Sequence, residues 1–206
     1  MKSFPRKSFY LVRHGESFAN LFDYPSGRMD TRLTRAGWAQ ARNAAQIVTR
    51  LDDQPAILVA SALVRARETA KLIHAHMPGD VRCALKIDRH LGEQYYGGYQ
   101  GVPKDRIRAR YGHEIWWAQP LDGESLPQFT HRTMGAMAKW LNRYEMPMFV
   151  AHGGLYTAFG YMFNRHIRGI PNASVFRFDP VGRAGWHLHW IENKGDHNQT
   201  RLYCAL

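Results

Sequence analysis

Apolar residues along this chain follow two rhythms: short uninterrupted runs, and longer stretches in which they recur every three or four positions. Residues 8–13, SFYLVR, form the first run, cut off by His14 and Gly15 as expected of a buried strand ending in a loop. From Thr34, a candidate N-cap, Ala41, Ala44, Ala45, Val48 and Leu51 recur at helical spacing. AILVA at 56–60 is a second strand run. Ser61 is then the expected cap of a helix with Leu63, Ala66, Ala70, Ile73 and Met77 on one face.

VRCALKID at 81–88 alternates as a strand does, and the glycine-rich stretch 91–101 reads as loop. Pro103 suits the first turn of a short helix through Tyr111. Residues 112–125 look irregular, and Met134, Met137, Ala138 and Leu141 restore helical spacing. MFVA at 148–151 is a further strand that runs into His152, Gly153 and Gly154 and then an apolar helix, with a strand-rich finish at 173–178, 185–191 and 200–204. Strands alternating with helices predict an α/β layered domain around a mostly parallel sheet, in which ligands sit at the carboxyl ends of the strands.

Two strands end alike, YLVR in His14-Gly15 and MFVA in His152-Gly153. In a parallel sheet both imidazoles emerge on one edge. The glycines, Gly153 among them, lack a Cβ and so allow a sharp turn or close approach of a ligand to the main chain. Arg13 precedes the first histidine, and Arg65 lies just past the second strand. Two guanidinium forks and two imidazoles suit a dianionic phosphoryl group: the forks hold its oxygens, and a neutral histidine can attack phosphorus. In this scheme His14 is the nucleophile and His152 donates to the phosphoryl oxygens. An expelled alkoxide needs a proton, for which Glu93 in the loop after the third strand is the preferred donor and Glu124 the alternative. No step calls for a metal or other cofactor.

Charge sharpens this picture. Lys and Arg number 28 against 17 Asp and Glu, a net charge of +11, and 21 of the 28 are Arg, the side chain best shaped to grip phosphate. The 206 residues, 45% of them apolar, suit one domain over 1–206 and exclude a disordered chain. Two cysteines, Cys83 and Cys204, make neither a disulfide framework nor a zinc knuckle, and there is no apolar run of membrane-spanning length. A cytoplasmic setting is expected, with neither membrane nor nucleic acid favoured as partner; a homodimer is compatible with these features.

LVRHGES at 11–17 resembles the RHG signature of the histidine phosphatase superfamily, the phosphoglycerate mutase-like family. The resemblance continues in order through LTRAGWAQA at 33–41, SALVRARETA at 61–70, LGEQYYGGYQG at 91–101, GESLPQF at 123–129 and VAHGG at 150–154. It implies a three-layer α/β/α fold and, by motif position, His14 as the phosphorylated nucleophile, Arg13, Arg65 and His152 as the phosphate pocket, and Glu93 as the acid–base residue. It further implies Ser17 and Asn20 in substrate binding, and it matches Tyr96 and Lys104 to substrate-side residues of the mutases. One departure stands out. Where those mutases carry paired arginines this chain reads EIWWAQP at 114–120, and the intervening insertion is shorter. A mutase must retain a bisphosphorylated intermediate, so fewer cations and a shorter lid favour hydrolysis. Trp116 and Trp117 are then candidates to line the substrate side.

The expectation is therefore a metal-independent phosphomonoesterase acting on a small phosphorylated metabolite. The alternatives are a cofactor-dependent phosphoglycerate mutase and a non-enzymatic phosphate- or nucleic-acid-binding module on the same fold. His187 and His189 share a strand face but lack a third metal ligand nearby in sequence and read as a solvated or packed pair, and the Arg-rich stretch 104–112, with no accompanying nucleic-acid motif, reads as a solvated face.

Overall fold

A computed structural model describes residues 4–112, 120, 122–195 and 197–206. The strands are β1 (Phe9–Arg13), β2 (Ile57–Ser61), β3 (Ala84–Asp88), β4 (Met148–Ala151), β5 (Val175–Val181), β6 (Gly185–Lys194) and β7 (His197–Ala205). The helices are α1 (Phe18–Leu21), α2 (Arg35–Thr49), α3 (Val64–His76), α4 (Lys104–Tyr111), α5 (Leu126–Arg143) and α6 (Gly153–Met162). The sheet runs β3-β2-β4-β1-β5-β6-β7. Its first four strands pair in parallel, and β5, β6 and β7 add on antiparallel.

β1, β2 and β4 read as unbroken apolar runs because helices cover both faces of the sheet. Alternate residues nevertheless serve different cores. Phe9, Leu11, Ile57, Val59, Phe149 and Ala151 pack with α5 and α6, and Tyr10, Val12, Leu58, Ala60, Met148 and Val150 pack with α2 and α3. The result is three layers, α/β/α. On the α5–α6 face an aromatic cluster joins β1, β5, β6 and α6: Phe9 stacks on Phe178 at 4.6 Å, and Phe159 meets Trp186 edge-on at 5.3 Å.

Thr34 caps α2 as its position predicts, its hydroxyl accepting the Gly37 N–H at 2.9 Å. α5 opens with a capping box between Ser125 and Gln128. Ser61, by contrast, does not cap α3. It is the last residue of β2, in register with Asp88, and the helix starts after Leu63. The first turn of α3 is capped instead by Asp30, whose carboxylate accepts the Val64 N–H at 2.8 Å from a distant loop. The short α1 carries no periodic signal in the sequence. β3 begins at Ala84, later than its alternation suggests, because only 84–88 find partners on β2.

Gly15 stands where a side chain is excluded. A Cβ there would lie 2.4 Å from the Gly37 carbonyl oxygen, and one on Gly37 would lie 2.0 Å from the Glu16 carbonyl oxygen. This glycine lets the loop after β1 seat directly on the first turns of α2, a role distinct from the ligand approach suggested by the sequence.

Candidate active site

β1 and β4 are parallel neighbours with Arg13 opposite Ala151, so the next residue of each strand leaves the sheet at the same level. These residues are His14 and His152, and their ring centroids lie 5.2 Å apart. The loop carrying His14 is held from three sides. Thr69 of α3 accepts the Gly15 N–H at 3.1 Å, while the His14 carbonyl accepts from the Asn172 amide and the Ala173 N–H, both at 3.1 Å.

His14 is oriented as a nucleophile. Its Nδ1 lies 2.7 Å from the Gly15 carbonyl, which can only accept, so the hydrogen sits on Nδ1 and Nε2 keeps its lone pair. Arg65 Nε donates to that lone pair at 3.2 Å. Burial, reinforced by the charges of Arg65 and Arg13, holds the His14 pKa well below the usual imidazole value, so the ring is neutral. His152 is depressed in the same way, by burial first and then by Arg65 and His14. Its Nε2 bonds to Ser61 Oγ at 2.8 Å, and its Nδ1 is buried with no partner.

The two arginines differ in how far they are committed. Arg65 also donates to the Met29 carbonyl at 3.0 Å and the Gly27 carbonyl at 2.9 Å, which fixes its fork. Arg13 Nη1 bonds to the Ile170 carbonyl, but its Nε is buried and unpartnered. An unsatisfied buried donor costs about 1–3 kcal/mol. Arg13 Nε is therefore an unmet demand at the strand ends that an anion's oxygen would answer, whereas His152, whose Nδ1 also lacks a partner, is fully buried and does not itself line the cavity that opens there.

A cavity of about 500 Å³ opens here, lined by Arg13, His14 and Arg65 at the strand ends and by Glu93, Tyr96 and Gly153 around them. The Glu93 carboxylate accepts the Gly154 N–H at 3.2 Å and its neighbour's N–H, from Gln94, at 2.9 Å. Gly154 makes room for it: a Cβ there would lie 2.1 Å from Glu93 Oε1. Glu124 does not line the cavity. It is forked by Arg132 at 2.7 and 2.8 Å; burial pushes its pKa up, but the bonds and charge of Arg132 prevail and hold it below the usual carboxylate range.

Asn20 and Lys104 also reach the cavity, and Lys104 is paired there with Asp23. Ser17 does not. It is fully buried, and its Oγ and N–H both donate to Asn20 Oδ1 at 3.0 Å, so it shapes α1 and orients Asn20 from beneath. Trp116 and Trp117 fall outside the described residues. Sequence reasoning missed Gly154, the Ser61 contact with His152, and two outer cations, Arg108 and Arg168. The doubled glycine after His152 was the available signal for the first. His187 and His189 lie with ring centroids 5.8 Å apart, and no group of three or more potential metal ligands occurs among the described residues. No helix among them is long and apolar enough to cross a membrane.

Comparison with known proteins places this geometry in a family. A 2,3-bisphosphoglycerate-dependent phosphoglycerate mutase of Methylobacterium is 35% identical over 154 residues, 69% of this chain and 74% of that protein. An uncharacterized phosphatase of Bacillus subtilis, PhoE, is 34% identical over 147 residues, 69% of this chain and 70% of its own. Among solved structures, a mycobacterial glucosyl-3-phosphoglycerate phosphatase complexed with VO3 shares the fold, with a TM-score of 0.74 at 23% identity over 96% of this chain and 98% of that one. The match to the superfamily itself runs over residues 9–203, from β1 into β7, and so the chain belongs to the histidine phosphatase superfamily, branch 1.

Proposed function

We propose that the protein is a phosphomonoesterase that hydrolyses a small phosphorylated metabolite through a phosphohistidine on His14. The observation that carries this reading is the geometry of His14, whose neutral ring keeps a lone pair on Nε2 beside the buried, unpartnered Nε of Arg13. In the first step Nε2 attacks phosphorus and the P–O bond to the leaving group breaks. Arg13, Arg65 and His152 hold the phosphoryl oxygens, and Glu93 in its acid form gives its proton to the departing oxygen. In the second step the Glu93 carboxylate takes a proton from water, the oxygen of that water bonds to phosphorus, and the P–N bond breaks. Phosphate leaves and the His14 lone pair is restored.

Glu93 is preferred over Glu124 because it lines the cavity, whereas Glu124 is spent on Arg132. The positive charge needed at phosphorus comes from the arginines, so turnover is expected to persist in excess chelator; activity lost to chelator and restored by a divalent cation would refute this.

A second reading, phosphoglycerate mutase, is favoured by one feature. The cavity's outer part is lined by Lys104, Arg108 and Arg168, cations able to retain a second anionic group. Screening phosphorylated metabolites for released phosphate, with and without a bisphosphoglycerate primer, separates the two. The phosphatase reading expects phosphate release independent of primer, and primer-dependent isomerisation without release would overturn it. Brief exposure to labelled substrate followed by quenching should trap phosphate in an acid-labile, base-stable linkage.

A further inference from the structure

We infer that Arg132, through its ion pair with Glu124, is a positioning residue that sets the Glu93 carboxylate for proton transfer without touching substrate. This rests on the proposed role of Glu93. A guanidinium has five N–H donors in a fixed plane, and Arg132 uses all five on the segment that carries Glu93 and its partner. Nη1 donates to the carbonyls of His90 at 2.7 Å and Gly92 at 3.0 Å, and Nη2 to the Glu93 carbonyl at 3.3 Å. Nε and the second Nη2 hydrogen fork the Glu124 carboxylate at 2.8 and 2.7 Å.

Glu124 then secures the far side of Glu93. Its Oε2 accepts the Tyr95 N–H at 3.3 Å, its backbone carbonyl accepts the Gln94 side-chain amide at 2.8 Å, and its N–H donates to the Tyr95 carbonyl at 2.8 Å. Residues on both sides of Glu93 in the chain are thus referred to one ion pair at the start of α5. The clamp aims the carboxylate at the Gly154 N–H, across a gap too narrow for any side chain at 154.

The beginning of the loop has a second anchor besides Arg132. Asp88 accepts the His90 N–H at 2.9 Å and the Trp140 indole N–H at 2.8 Å. Beyond His90 the contacts of Arg132 fall on Gly92, on Glu93 and on its partner Glu124, and so bear on the placement of Glu93, where a displacement of about 1 Å is enough to cost on the order of 10²-fold in rate. Lysine, with three donors and no plane, cannot reproduce them.

The test compares single-turnover rates for an alkyl phosphate and for nitrophenyl phosphate in wild type, Arg132→Lys, Glu124→Gln, Glu93→Gln and the double variant Arg132→Lys/Glu93→Gln, with thermal melts alongside. The expected result is a loss of about 10- to 10²-fold for the alkyl ester in Arg132→Lys, a much smaller loss for the aryl ester, and little change in KM for either. Glu124→Gln should show the same selectivity, more weakly. In the Glu93→Gln background Arg132→Lys should leave the alkyl-to-aryl ratio unchanged, because nothing remains to be positioned. Equal losses for both esters, or a ratio that worsens further in the double variant, would overturn the clamp while leaving the role of Glu93 standing. Failure of both Arg132→Lys and Glu124→Gln to fold would also overturn it, by making the ion pair a fold element. If Glu93→Gln shows no leaving-group dependence, the acid assignment itself falls.

Discussion

The two halves of the sheet do different work. In the parallel half, β3-β2-β4-β1, every strand points its carboxyl end at the same edge, so His14 and His152, distant in sequence, become neighbours and are joined by Ser61, Arg65 and Glu93. In the antiparallel half, β5, β6 and β7 reverse at each turn and send successive ends to opposite edges. The candidate catalytic side chains all come from the parallel half or the loops that follow it. The second half contributes Phe178, Trp186 and Leu188 to the core. Strand direction, more than the number of strands, decides where chemistry can gather.

That division can be broken in four ways. His14→Ala is expected to abolish phosphate release, as measured by turnover and by loss of the trapped phosphohistidine, with a modest effect on stability; wild-type activity in this variant would remove the nucleophile. Glu93→Gln should slow alkyl phosphates by about 10²–10⁴-fold while sparing the first step with a nitrophenyl ester, since nitrophenolate leaves without a proton. Trp186→Ala, in the other half, should cost about 3–5 kcal/mol in denaturant unfolding yet leave kcat per folded molecule close to wild type; a kcat loss without a stability loss would show that the halves are not separable.

The smallest effect is pH-dependent. His14 and His152 are both held neutral by burial in the folded state, with pKa values below those of the unfolded chain. As the pH falls below about 6.5 the unfolded chain takes up protons that the folded chain refuses, so stability is full above that value and is lost on the acid side. The slope is at most about 1.4 kcal/mol per pH unit for each histidine. Urea unfolding at a series of pH values should show His14→Ala losing one histidine's share of that slope; an unchanged slope would mean that the folded ring titrates normally.

Much of the site was legible because it depends on strand ends. An apolar run that stops at a histidine is visible in one dimension, and parallel pairing does the rest, so Arg13, His14, Arg65, Glu93 and His152 could be brought together on paper. The features that escaped depend on approach between distant segments. Ser61 looked like a helix cap because serine before a helical pattern usually is one, yet the strand kept it and Asp30 took over the cap. The family resemblance implied Ser17 in substrate binding, yet burial turned it toward Asn20. The doubled glycine after His152 hinted at Gly154, but its reason, and the part played by Arg132, emerge only once the Glu93 carboxylate has a place in space.

The contact between Gly15 and Gly37 ties two distant parts of the sequence into one inheritance. Neither position tolerates even a methyl unless the other segment retreats. The segments are further bound by Thr34, whose N–H donates to the Glu16 carbonyl at 2.9 Å and whose hydroxyl donates to the Glu16 carboxylate at 2.6 Å, and by Gln40, whose amide oxygen accepts the Glu16 N–H at 2.8 Å. A substitution in the first turns of α2 is therefore transmitted to the backbone that presents His14. The tripeptide Arg13-His14-Gly15 is two characters chemistry and one character docking, and because its third letter meets main chain at the thirty-seventh position, no substitution there can make room for a side chain.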